Sequence, residues 1–157
     1  MSLPICSQEL FFRVLAREQA MTSRCGHSFS LLTLDLQKGS SGAKGARVLE
    51  LVAFDAMRET DIAGWLRRSC LGVILPAASA ADADSLGQRI VQRLPCYVAP
   101  LHCRTIECRP GSSPDWLHSQ VGITPRPTSE RESRALLSGR RGVSPLDRLQ
   151  VFLLRLL

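Results

Sequence analysis

Arg58-Glu-Thr-Asp-Ile-Ala-Gly-Trp-Leu-Arg-Arg-Ser-Cys-Leu-Gly-Val-Ile-Leu-Pro76 is the stretch on which the fold turns. Ile62 to Leu66 and Leu71 to Leu75 are apolar runs of strand length, and Arg67, Arg68 and Ser69 between them predict a polar turn. Pro76 has no N–H to give to a ladder, so it stops the second strand. Upstream, Val48, Leu51, Val52 and Ala56 recur at helical spacing, which predicts a helix from about Ala46 to Arg58. Downstream, Leu86 and Ile90 point inward from a helix over Asp82 to Arg93. Asp82 and Asp84 read there as first-turn acids that suit the helix dipole.

The pattern extends in both directions. Ser7 is placed to cap a helix running to about Arg24, with Leu10, Phe11, Val14, Leu15 and Met21 on one side and Gly26 at its end. Phe29 to Leu36 is a mostly buried strand, and a short glycine-rich connection, Lys38 to Gly45, leads into the next helix. A last strand lies within Tyr97 to Cys108, interrupted by Pro100. The predicted order is α-β-α-β-β-α-β, an α+β sheet covered by helices.

A chain of 157 residues supports one core domain, and 45% hydrophobic with 22% charged residues excludes wholesale disorder. The net charge is +6, and 18 of the 20 basic residues are arginines, whose planar forks favour phosphate or carboxylate partners. Residues 1–109 carry 13 basic and 10 acidic side chains, and residues 110–157 carry 7 and 4, so the surplus is shared equally. Aromatics at 5% leave no stacking platform for single-stranded nucleic acid, and no nucleic-acid partner is expected. Five of the nine prolines follow residue 109. Residues 110–145 read as a Pro/Ser/Arg-rich flexible linker and residues 146–157 as a short apolar terminal helix, packing on the domain or a partner, or touching a membrane surface. With no long apolar run and no signal pattern at the N-terminus, a cytoplasmic protein is expected.

The six cysteines, at positions 6, 25, 70, 96, 103 and 108, form no Cys-x-x-Cys pair. They are expected to be reduced and mostly buried. A zinc site from His102, Cys103, Cys108 and His118 is disfavoured, because positions five apart on one strand face opposite sides of a sheet. No activated nucleophile is marked.

Gly26-His-Ser-Phe-Ser-Leu-Leu-Thr-Leu-Asp35, then Arg58-Glu-Thr-Asp61, then Leu71-Gly-Val-Ile-Leu-Pro76 together resemble the GGDEF domain of bacterial diguanylate cyclases, over residues 7–109. The resemblance implies a nucleotidyl-cyclase-like (ferredoxin-like palm) architecture, with a central antiparallel-rich sheet flanked by helices. It matches Asp35 to the family's first metal-binding aspartate, with Gln37 at the companion position. The Gly-Gly-Asp/Glu-Glu-Phe signature is replaced by Arg67, Arg68, Ser69, Cys70 and Leu71. Arginines obstruct the close backbone approach that glycines allow, and Ser69 and Cys70 are poor magnesium ligands. The 22 residues between Asp35 and Arg58 are fewer than the family's and lack its Phe-Lys-x-x-Asn-Asp stretch. The resemblance therefore implies a degenerate domain with no catalytic residue, no cofactor, no metal and a vestigial Asp35.

In the family, Arg-x-x-Asp is an inhibitory site for cyclic di-GMP. The resemblance assigns Arg58 and Asp61 to it, with Arg89 as an assisting arginine. It implies a catalytically inactive regulatory module, either a cyclic di-GMP receptor through those residues or a ligand-free scaffold. The scaffold would dimerise or dock on a protein partner in a bacterial signalling or exopolysaccharide pathway. Diguanylate cyclase activity is the residual reading. An alternative for Arg58 and Asp61 is a helix-end ion pair or a capped turn.

Overall fold

The computed structural model describes residues 5–37, 42–98, 101–112 and 119–121. They belong to a unit spanning Met1–Thr124. The expected terminal helix and most of the expected linker lie outside the described residues.

Seven elements follow the predicted order: α1 (Gln8–Cys25), β1 (Phe29–Leu36), α2 (Ala43–Ala56), β2 (Ile62–Arg67), β3 (Cys70–Pro76), α3 (Ala80–Arg93) and β4 (Leu101–Cys108). The four strands form one antiparallel sheet in the order β2-β3-β1-β4. This is the α+β architecture read from the sequence. β1 is central and buried on both faces along nearly its whole length, in keeping with the mostly buried strand read from the sequence.

Each face has its own packing. On one side Leu32, Leu34 and Leu36 of β1 meet Leu49 and Ala53 of α2 and Leu86 and Ile90 of α3. On the other, α1 lies against β2 and β3, where Gly64 and Gly72 are direct cross-strand neighbours. A β-carbon at either position would come within 2.8 Å of the Phe11 ring, so the paired glycines form the notch that admits Phe11. Cys6 N–H donates to Ala63 O at 2.8 Å and Gln8 Nε2 to Leu66 O at 2.7 Å. The outer edge of β2 is thereby capped by the chain's own N-terminal segment.

The helix ends carry local signals. Ser7 Oγ accepts from Leu10 N–H, and Gly26 takes a left-handed φ of 73° that closes α1 on Thr22 O. At α3, Ser79 and Asp82 form a reciprocal capping box, so the helix starts at Ala80, two residues before the predicted start. α2 also starts early, at Ala43.

Three readings of burial need correction. Met21 is 44% exposed, and Thr22 takes the inner position. The inner stripe of α1 is Phe11, Val14, Leu15 and Thr22. Leu51 is 48% exposed, because the inner stripe of α2 is Gly45, Leu49, Ala53 and Ala56. The cysteines are not mostly buried: Cys70 and Cys108 are buried, Cys6 is half-buried, and Cys25, Cys96 and Cys103 are exposed. The three exposed thiols sit at the end of α1 (Cys25), in the turn between α3 and β4 (Cys96) and on the edge strand β4 (Cys103).

Candidate functional site

The β2–β3 hairpin closes on the register pair Arg67 and Cys70, with Arg68 and Ser69 as the two turn residues. On the central strand, Asp35 stands directly between Cys70 on β3 and His102 on β4. Both of its carboxylate oxygens are engaged by the hairpin. The Arg67 guanidinium donates to Oδ2, and Ser69 Oγ donates to Oδ1 at 3.2 Å. Leu36 N–H further ties β1 to Ser69 O at 2.8 Å. Arg67 is thus not the solvated turn residue expected of an arginine pair. It is the cation of this site.

This donor set does not fit a divalent metal at Asp35, the position that the resemblance matches to the family's first metal-binding aspartate. Magnesium requires near-octahedral oxygen ligands, and a guanidinium bonded to the single carboxylate repels a cation. Burial, followed by the nearby Asp35 charge, pushes the Cys70 thiol up to about 11, so it is a neutral thiol at physiological pH. Among the described residues no group of three His, Cys, Asp or Glu side chains could hold a metal ion. Cys103 and Cys108 lie on opposite faces of β4, as their spacing predicts: Cys103 faces α3, and Cys108 shares the α1 face with Phe29.

The Arg58-x-x-Asp61 segment forms a closed turn between α2 and β2. Asp61 Oδ2 accepts from Arg58 N–H at 2.8 Å, and Asp61 N–H donates to Arg58 O at 3.1 Å. The carboxylate therefore meets the backbone of Arg58 rather than its guanidinium. Arg58 does act on α3. Asp82 is held below the usual carboxylate range by the Ser79 N–H and O–H, with the Arg58 charge adding to the effect. Arg89 follows Asp82 by two helical turns, so the two share one face of α3 about 10 Å apart. Arg93, one turn further, bonds Asp55 of α2 at 2.7 Å. Neither the Arg58 nor the Arg89 side chain makes a hydrogen bond or ion pair among the described residues.

β4 carries side chains whose roles the sequence did not single out. Arg104 Nη1 donates to Gln120 O at 2.8 Å and its Nη2 bonds Gln120 Oε1. Thr105 Oγ1 donates to Asp84 of α3 at 2.5 Å. A signal for these roles existed only in the alternation of β4, whose even and odd residues face opposite sides.

No family model and no curated protein matches this sequence. Solved structures match its fold. The GGDEF domain of FimX from Pseudomonas aeruginosa superposes with a TM-score of 0.65 at 8% identity, over 75% of this chain and 84% of that one. The GGDEF domain of DgcB from Caulobacter crescentus, solved in complex with c-di-GMP, gives 0.61 at 16% identity, over 78% and 82%. Diguanylate cyclase SiaD from P. aeruginosa, solved with its activator SiaC, gives 0.60 at 19% identity. This chain covers 58% of SiaD, and 89% of this chain is covered in return. The architecture is therefore that of a GGDEF domain.

Proposed function

We propose that this chain is a GGDEF-fold regulatory module that does not condense GTP and that recognises cyclic di-GMP through Arg58, Asp61 and Arg89. The engagement of Asp35 by Arg67 and Ser69 carries the first half of this reading. Phosphoryl transfer in this fold depends on metal charge and on positioning, and the one carboxylate placed for the metal already has a guanidinium partner. Support for the second half comes from two exposed guanidiniums with no partner among the described residues. An arginine fork meets a guanine edge or a phosphate with paired hydrogen bonds. Asp61 Oδ1 can accept from a guanine N–H while Oδ2 holds the turn.

Titration calorimetry of the full chain with cyclic di-GMP tests this directly. Saturable heat is expected, with affinity lowered about 30-fold in Arg58→Ala, as expected for the loss of about 2 kcal/mol of charged hydrogen bonding. Absence of heat at high micromolar ligand refutes the receptor. Incubation with GTP and magnesium is expected to yield no cyclic product, and detectable product refutes the non-catalytic half.

A second reading, a ligand-free scaffold, rests on Leu51 and Phe54. These two large side chains, 48% and 45% exposed, lie together on the outer face of α2. Binding of cyclic di-GMP with the arginine dependence above counts against a purely ligand-free role.

A further inference from the structure

Among the described residues β4 is an edge strand, and its outer side differs from that of β2. The outer edge of β2 is bridged by Cys6 and crossed by α1, whereas β4 pairs with β1 alone among the described residues. It runs for eight residues without proline, lysine or a bulge, and of the devices that blunt an edge it carries only the two charges of Arg104 and Glu107.

Two grooves flank this edge, one on each face of the sheet, and Cys103 lines both. The groove on the α3 side, about 430 Å³, is floored by Leu32, Leu101 and Cys103 and walled by Val91. It exists because α3 approaches β4 closely at Gly87, where an added β-carbon would sit 3.3 Å from Leu32 and 3.8 Å from the Cys103 sulfur. The groove on the α1 side, about 370 Å³, holds Arg67, Arg104 and His102. Its one carboxylate, Asp35, is already bonded to Arg67 and Ser69. Each guanidinium has five N–H donors, of which Arg104 uses two on Gln120 and Arg67 one on Asp35. The first groove is therefore mainly apolar, though Asp84, Gln88 and Gln92 also line it, and the other is cationic and rich in donors.

We propose that β4 accepts an extended acidic peptide segment of a partner protein as an added strand. Successive side chains of a strand point to opposite faces, so an added strand presents alternate residues to the two grooves. Apolar residues enter the α3-side groove. Glutamates or aspartates, on the alternate positions, meet Arg104 and His102, which share one face of β4. Backbone hydrogen bonds along the edge supply affinity, and the two grooves supply the choice of sequence. Glu107 already has Arg109 as its partner, at 3.0 Å, so the acid on β4 itself does not oppose an incoming carboxylate.

The test uses the full chain and a labelled peptide of alternating glutamate and valine as long as β4, followed by fluorescence polarisation. Saturable binding is expected, at least about tenfold tighter than for the lysine–valine counterpart. Arg104→Glu is expected to reverse that preference, a charge-swap rescue that a misfolded variant could not give. Amide hydrogen exchange is expected to slow on β4 when the peptide binds. Equal binding of both peptides, no binding up to millimolar concentration, or binding without protection of β4 overturns the proposal. A concentration-dependent dimer protected on β4 without peptide assigns the edge to a second copy and overturns it equally. The peptide site and the Arg58 site share no residue, so failure of either is read independently of the other.

Discussion

Replacing Gly64 by alanine tests the reasoning about how α1 seats on the sheet. The new methyl would stand 2.5 Å from Phe11 Cδ2 and 2.7 Å from its Cβ and Cγ, against about 3.5–4.0 Å for a relaxed carbon contact. About 1 Å of movement is needed, and the crowded atoms include the root of the Phe11 side chain, so a rotamer change cannot supply it. The helix itself must lift, yet it is tied to β2 through Gln8 and by the Cys6 bridge. Overpacking of this kind costs about 1–3 kcal/mol, and losing a strand glycine returns about 0.5–1 kcal/mol. A net loss of about 2 kcal/mol is expected. At Gly72 the clash is with the ring tip, Phe11 Cζ at 2.7 Å and Cε1 at 2.8 Å, and about 1 kcal/mol is expected. Urea unfolding followed by circular dichroism reads both as shifts in midpoint at constant slope. The decisive comparison is a cycle with Phe11→Ala, itself costing about 3–5 kcal/mol. In that background Gly64→Ala is expected to be neutral or stabilising, because the methyl enters vacated space. Equal cost in both backgrounds refutes the notch.

Other contacts of the fold carry further expectations. Ser79→Ala removes the capping box of α3 and is expected to destabilise the domain by about 1 kcal/mol in urea. Asp82 is held low in the folded state, so its contribution is present above its unfolded pKa and fades as pH falls through the lowered folded value. Cys70 and Cys108, raised mainly by burial from 9.0 to about 11, keep their protons in the folded chain while an unfolded thiol loses its own. Stability is therefore expected to decline between about pH 9 and pH 11, less steeply in Cys70→Ala with Cys108→Ala, as measured by urea midpoints across that range. A thiol reagent at pH 8 is expected to label Cys25 and Cys96 well before either buried cysteine. Arg67→Ala breaks an ion pair whose side chains are 47% and 32% exposed, so less than about 1 kcal/mol of stability is expected to be lost. That variant is still expected to bind no magnesium by calorimetry, because freeing Asp35 adds no second carboxylate. Binding at micromolar magnesium would refute the account of the site.

Most of the fold was legible because its signals are short-range. The apolar runs on either side of Arg67-Arg68-Ser69, the stop at Pro76, the Ser7 cap and the Gly26 terminus each depend on residues within a turn or two of one another. Burial on individual helix faces was less legible. Met21 and Leu51 satisfy helical spacing, yet each lies off the stripe that the sheet covers, and only the placement of the sheet selects the stripe. The Arg-x-x-Asp segment was legible as a motif, but its carboxylate could face either the guanidinium or the backbone of Arg58. The turn geometry selects the backbone.

The sequence alone determined the order of helices and strands and the position of the hairpin, because periodicity, capping and turn chemistry act locally. It also placed two arginines, Arg67 and Arg68, beside Ser69 in that hairpin. Only the tertiary structure decided what those residues do. Asp35 and Arg67 are 32 positions apart and meet only because β3 pairs with β1 in a particular register. Gly64, Gly72 and Phe11 become one packing unit only when α1 crosses the hairpin. The opposite chemistry of the two faces of β4 is likewise set by what packs beside it, α3 on one side and the Arg67–Asp35 pair on the other. Strand register and helix placement are collective outcomes of burying the whole core, and no local window of the chain contains them.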